Sequence, residues 1–124
     1  MATILIVEDE QPLRDLLAIV IEGAGHRALQ ATDGRQALEL IARTRPDLVL
    51  ADVMMPVLGG LDLCRNLKAQ ASTRGIPVIL VSAVGARIAC GVGADAFLAK
   101  PFDLAELEAM LQRWLAPAEQ DQSA

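Results

Sequence analysis

Apolar positions along the 124-residue chain switch between two spacings. Unbroken apolar runs at residues 4–7, 48–51, 78–81 and 96–99 have strand length, and a weaker run lies around 27–31. Between the runs, apolar residues recur at helical spacing. Pro12, suited to a first helical turn, introduces the i, i+3, i+4, i+7, i+8 stripe of Leu13, Leu16, Leu17, Val20 and Ile21, which Gly23 and Gly25 end. A second helix carries Ala37, Leu38, Ile41 and Ala42, with Asp33 as N-cap and Gln36 reaching back, and stops before Pro46. A third runs from about Leu61 to Gln70. The last is striped by Leu104, Leu107, Leu111 and Leu115, with Asp103 and Glu106 as a second capping pattern. Short strands alternating with helices predict one α/β domain over residues 1–117 with a parallel sheet and helices on both faces, followed by a polar, unstructured tail at 118–124.

Composition narrows the class. More than half of the residues are apolar, Tyr is absent, and Phe and Trp total three, so the core is aliphatic, as suits buried parallel strands. A net charge of −5 argues against direct nucleic-acid binding. The apolar run at 4–7 stops at Glu8 with no basic segment before it, and 13–21 is too short and too charged to cross a bilayer; a cytoplasmic protein is expected. Cys64 and Cys90 form no CxxC pair and read as small buried residues. The single histidine, His26, reads as a loop residue. Met110 and Trp114 read as a half-buried pair flanking the last stripe.

The chemistry lies where the strands end. Right-handed crossovers put all the strand C-termini on one edge, and a doubly wound sheet has its crevice between strands one and three. The residues following strands one, three, four and five are Glu8-Asp9-Glu10, Asp52, Ser82 and Lys100. Clustered carboxylates repel each other unless a cation joins them, and oxygen-only ligands on a solvated edge suit Mg²⁺, with Mn²⁺ as a substitute. Asp9 and Asp52 are the candidate ligands. Ser82 and Lys100 complete a phosphoryl site, in which an aspartate can serve as nucleophile and become an acyl phosphate.

The segments ILIVEDE (4–10), LVLADVMMP (48–56), GG (59–60), VSA (81–83) and GADAFLAKPF (93–102) together resemble response-regulator receiver domains over residues 3–116. The resemblance implies a flavodoxin-like, five-stranded sheet in order 2-1-3-4-5. It implies Asp52 as phosphoacceptor, supplied by a histidine kinase or a histidine phosphotransfer protein, in a two-component phosphorelay that signals through protein partners. Asp9 would bind Mg²⁺ directly, Glu8 through water, and Met54 through its backbone carbonyl. Ser82 and Lys100 would contact the phosphoryl oxygens, with Pro101 as a cis proline. Phe97 would be the aromatic switch residue coupled to Ser82. The chain would catalyse its own phosphorylation and dephosphorylation but would not act as an enzyme on external substrates.

Two departures from the family pattern stand out. Ser82 and Lys100 are 18 positions apart, about one helical turn short, and the shortened stretch 84–94 holds three glycines. A short or irregular fourth helix follows, and with it a monomer or weak dimer. Met54 and Val84, at the positions flanking the acyl phosphate, are apolar and predict a long-lived phosphorylated form. Two alternatives stay open: an aspartate-nucleophile Mg²⁺-dependent phosphohydrolase, although the second acid such enzymes carry is here Met54, and a receiver cut from a larger response regulator or hybrid kinase.

Overall fold

A computed structural model describes residues 1–55, 57–83 and 91–123, with side chains as far as Leu115. The elements are β1 (Thr3–Val7), α1 (Gln11–Gly23), β2 (Arg27–Ala31), α2 (Gly34–Arg43), β3 (Leu48–Asp52), α3 (Gly60–Ala69), β4 (Val78–Ser82), β5 (Ala96–Ala99) and α4 (Leu104–Ser123). All strands pair in parallel, in the order β2-β1-β3-β4-β5, which is the predicted flavodoxin-like sheet.

Strand periodicity divides the core in two. Leu5, Val7, Val49, Ala51, Val78 and Leu80 face α2 and α3 and meet Ala37, Ile41, Leu63 and Leu67. The alternate residues Ile4, Ile6, Leu48, Leu50, Ile79, Val81 and Leu98 face α1 and α4 and meet Leu17, Ile21, Leu107 and Leu111. The central strands are buried on both faces, which explains why they read as unbroken apolar runs. Burying each such Leu or Ile contributes about 1.5–3 kcal/mol. Met110 and Trp114 pack partly buried against the α1/α4 core, as predicted.

The caps depart from expectation in detail. Asp33 Oδ1 accepts the Gln36 N–H at 2.9 Å, but Gln36 Oε1 accepts from the Thr32 N–H, one residue before the cap. Asp103 Oδ1 accepts from the Glu106 N–H at 2.8 Å. The backbone of α4 continues through Pro117 to Ser123, where the sequence predicts an unstructured tail. An interior proline costs the helix its hydrogen bond to the residue four before it, and the alanine, glutamate and glutamine that follow are good helix formers. The predicted irregular fourth helix falls mostly within residues 84–90, outside the described residues, as do Val84 and Cys90.

At the sheet edge where β4 and β5 begin, Lys68 of α3 acts as a staple. Its ammonium donates to the carbonyls of Arg74 and Ile76 at 3.1 and 2.9 Å and to Asp95 Oδ2 at 2.7 Å. Asp95 Oδ2 also accepts the Val78 N–H. His26 is a tether: its Nδ1 accepts the Ala2 N–H at 3.1 Å.

Candidate functional site

The period of two that builds the core also aims the site. Ile4, Ile6 and Glu8 share one side of β1, as do Leu48, Leu50 and Asp52 on β3 and Leu98 and Lys100 on β5. Val7 pairs with Ala51, so Glu8 and Asp52 occupy the next rung side by side. The three charged groups therefore emerge on the α1/α4 side of the C-terminal edge. Lys100 reaches across β4, and its Nζ donates to Asp52 Oδ2 at 2.8 Å and lies 3.6 Å from Glu8 Oε1. The Lys100–Pro101 peptide is cis.

Glu8 and Asp52 are buried, and Asp9 beside them is exposed. One carboxylate oxygen from each of Glu8, Asp9 and Asp52 lies within 4.8 Å of the others, an all-oxygen donor set that fits a hard divalent cation. Burial raises the Glu8 carboxyl to about 7; the Glu10 N–H on Oε2 opposes the rise, the neighbouring Asp52 carboxylate adds to it, and Lys100 offsets it only slightly. For Lys100, burial disfavours the charge, but the Asp52 hydrogen bond and the surrounding carboxylates raise its pKa. Among the described residues, three carboxylates facing one ammonium leave a surplus of negative charge, which a dication would neutralise.

The loop after Asp52 is held tightly by backbone. Met54 N–H donates to Asp52 Oδ1 at 3.0 Å, and the Met54 side chain is exposed. Gly60 N–H bonds Val53 O, and a Cβ on Gly60 would collide with the backbone carbonyl of Asp52. The Gly34 N–H at the start of α2 bonds Leu58 O at 2.8 Å. Between them Val57 takes φ 68°, the one non-glycine residue with positive φ among the described residues.

Ser82 is buried at the end of β4, and its carbonyl accepts the Lys100 N–H at 2.9 Å. Ser82 pairs with Ala99 and Leu80 with Phe97, so Ser82 and Phe97 are diagonal neighbours on the α2/α3 side, where Phe97 packs partly buried against the core. The structure thus brings Glu8, Asp9, Asp52, Met54, Ser82 and Lys100 to one edge, with Phe97 two rungs further in than Ser82. Arg14 went unmarked in the sequence, where it is only a charge interrupting an apolar stripe. Its Nη1 donates to the carbonyl of Glu8 at 2.8 Å, and no local pattern signals that contact.

Residues 4–112 match the response regulator receiver domain family. The chain is 41% identical over 114 residues to the phosphate regulon transcriptional regulatory protein PhoB of Pseudomonas aeruginosa, covering 89% of this chain and 50% of that protein. It is 38% identical over 113 residues to the DNA-binding response regulator MtrA of Mycobacterium tuberculosis, covering 88% of this chain and 48% of the relative. The chain thus spans about half the length of these curated relatives. Among solved structures, the signal receiver domain of a Syntrophus aciditrophicus histidine kinase superposes with a TM-score of 0.90 at 36% identity, covering 94% of this chain and 92% of that one. The receiver domain of a Pseudomonas aeruginosa sensor histidine kinase, solved with a magnesium ion coordinated in its active-site cleft, gives 0.85 at 35% identity, covering 93% and 98%. Fold, motifs and relatives agree: the chain belongs to the response regulator receiver domain family.

Proposed function

We propose that this receiver domain takes a phosphoryl group on Asp52 from a phosphohistidine of a histidine kinase or phosphotransfer protein. The observation that carries the reading is the buried Asp52 carboxylate with Lys100 Nζ at 2.8 Å and the oxygen-donor cluster of Glu8 and Asp9 beside it. An Asp52 oxygen attacks phosphorus, the P–N bond of the donor breaks, and its electron pair returns to the imidazole nitrogen. Lys100 moves its ammonium toward the incoming phosphoryl oxygens, and Ser82 supplies a hydroxyl to them. Asp9, Asp52 and the Met54 carbonyl would hold Mg²⁺; Glu8, with Oε2 tied to the Glu10 N–H and Oε1 toward Lys100, would act through water. The ion would offset phosphoryl charge that these carboxylates repel.

Lys100 also borders an open groove of about 400 Å³ formed with Leu13, Leu16, Pro101, Phe102 and Leu104. Its apolar lining, continuous with the phosphorylation site, suits the helix bearing the donor histidine. Readout passes from Ser82 to Phe97: the new phosphoryl oxygens draw the Ser82 hydroxyl inward, Phe97 turns into the vacated space, and the change reaches a protein partner in the cytoplasm. The half-length match to DNA-binding regulators favours a second reading, in which the effector lies on the same polypeptide. Immunoblotting the endogenous protein for a mass near 13.2 kDa or about twice that separates the two.

The central test is incubation with acetyl phosphate and Mg²⁺, read by intact mass. The wild type should gain one phosphoryl group and Asp52→Asn none; a wild type of unchanged mass defeats the proposal.

A further inference from the structure

We infer that Arg14 is a positioning residue for the divalent-cation site, bracketing the acidic turn so that Asp9 is aimed at Asp52. The inference rests on the metal reading above. Residue 14 holds both ends of the turn: its side-chain Nη1 donates to the carbonyl of Glu8 at 2.8 Å, and its backbone N–H donates to the carbonyl of Glu10 at 2.9 Å. Asp9 is the residue between those two carbonyls. Its own carboxylate is exposed and makes no hydrogen bond among the described residues, so its direction depends on the backbone torsions of residues 8–10.

The guanidinium is itself held. Its Nε donates to Gln30 Oε1 at 3.2 Å, and Gln30 pairs with Ile6 across β1 and β2. One planar fork thus ties the first turn of α1 to the end of β1 and to β2, and a single-point cation could not make both bonds in that geometry. On the other side of the turn, Glu8 is already fixed by the Glu10 N–H on Oε2 and by its own N–H to Ala31 O at 3.1 Å. Asp9 is the one ligand of the cluster whose placement is left to Arg14. Partners that orient a ligand in this way typically govern metal affinity by ten- to a hundredfold, whereas a half-buried hydrogen bond of this kind adds about 1 kcal/mol to folding.

The experiment measures Mg²⁺ affinity by titration calorimetry, and Tm with chelator and with Mg²⁺, for wild type, Arg14→Gln, Arg14→Lys and Gln30→Leu. Arg14→Gln should weaken Mg²⁺ about tenfold while the metal-free Tm falls by no more than about 5 °C. Arg14→Lys keeps one donor for the Glu8 carbonyl and should recover part of the affinity; Gln30→Leu should lose about threefold, a fraction of the Arg14 effect. Unchanged Mg²⁺ affinity in Arg14→Gln overturns the inference, and so does a loss matched by an equal fall in metal-free Tm with no recovery by lysine. A wild-type chain that binds no Mg²⁺ overturns the proposed metal site and this inference with it. Wild-type binding that Arg14→Gln leaves intact overturns this inference alone.

Discussion

Two lysines at opposite edges of the sheet show how the same side chain becomes structural or chemical. Lys68 and Lys100 are similarly buried, with side chains 19% and 24% exposed, and each has a carboxylate oxygen within 2.8 Å. Lys68 spends all three N–H donors on acceptors of fixed position: two loop carbonyls and Asp95. One cation meets one carboxylate there, and the arrangement is complete. Among the described residues the Lys100 ammonium makes one hydrogen bond, to Asp52, and it faces further carboxylates in Glu8 and Glu10. Among the described residues the charge at that edge is unbalanced and two of the ammonium's three donors are unspent. A saturated ammonium holds loops in place; an unsaturated one still has donors for an incoming anionic group, the role proposed above for Lys100.

The largest expected effect breaks the pair apart functionally. Lys100→Met should slow phosphorylation by acetyl phosphate by about 10²–10³-fold, the usual loss on removing one charge-stabilising donor, while Lys68→Met leaves that rate near wild type. Denaturant unfolding should show the reverse for Lys68→Met, with a loss of about 3 kcal/mol from stripping charged hydrogen bonds off two carbonyls and Asp95. If both variants lose activity and stability together, the distinction between the edges fails.

Titration separates the edges next. In the metal-free protein Glu8 titrates at about 7 against an ordinary value of 4.5, so the folded state holds the proton more tightly than the unfolded state. Its contribution to stability is full below pH 4.5 and is lost as pH rises through about 7, by about 3 kcal/mol. Urea midpoints measured with chelator across that range should fall for wild type and flatten in Glu8→Gln. Added Mg²⁺ should restore stability at the upper end.

Smaller effects sharpen the contrast. At ten times its Kd, Mg²⁺ should add about 1.4 kcal/mol, or roughly 5 °C in Tm, and Lys68→Met should preserve that increment. Val57→Gly should raise stability by about 1 kcal/mol, because an exposed β-branched residue at φ 68° carries strain that glycine avoids. A destabilised Val57→Gly protein would mean that the Asp52 loop depends on the valine side chain.

Much of this was legible beforehand because both core and site follow one period. The apolar runs on β1, β3, β4 and β5 and the polar residue ending each run locate the strands and the chemistry together, so Glu8, Asp52, Ser82 and Lys100 can be placed on one edge from the chain alone. Reciprocal capping was less legible: the Gln36 side chain chose Thr32 N–H over that of Asp33, a difference of one residue that pattern rules do not resolve. The end of the last helix is less legible as well: local propensity on both sides of Pro117 carries the backbone of α4 past it.

What the sequence determined by itself was the set of groups and the edge on which they meet, because strand alternation and right-handed crossovers leave little choice. Tertiary structure alone decided how each group is spent. Chain order puts Lys100 just after β5 and Lys68 inside α3, but it does not name the three acceptors that saturate Lys68, and nothing near Arg14 announces a carbonyl six residues earlier as its partner. Those outcomes depend on which acceptors the folded backbone brings within about 3 Å, a condition set by packing of distant elements.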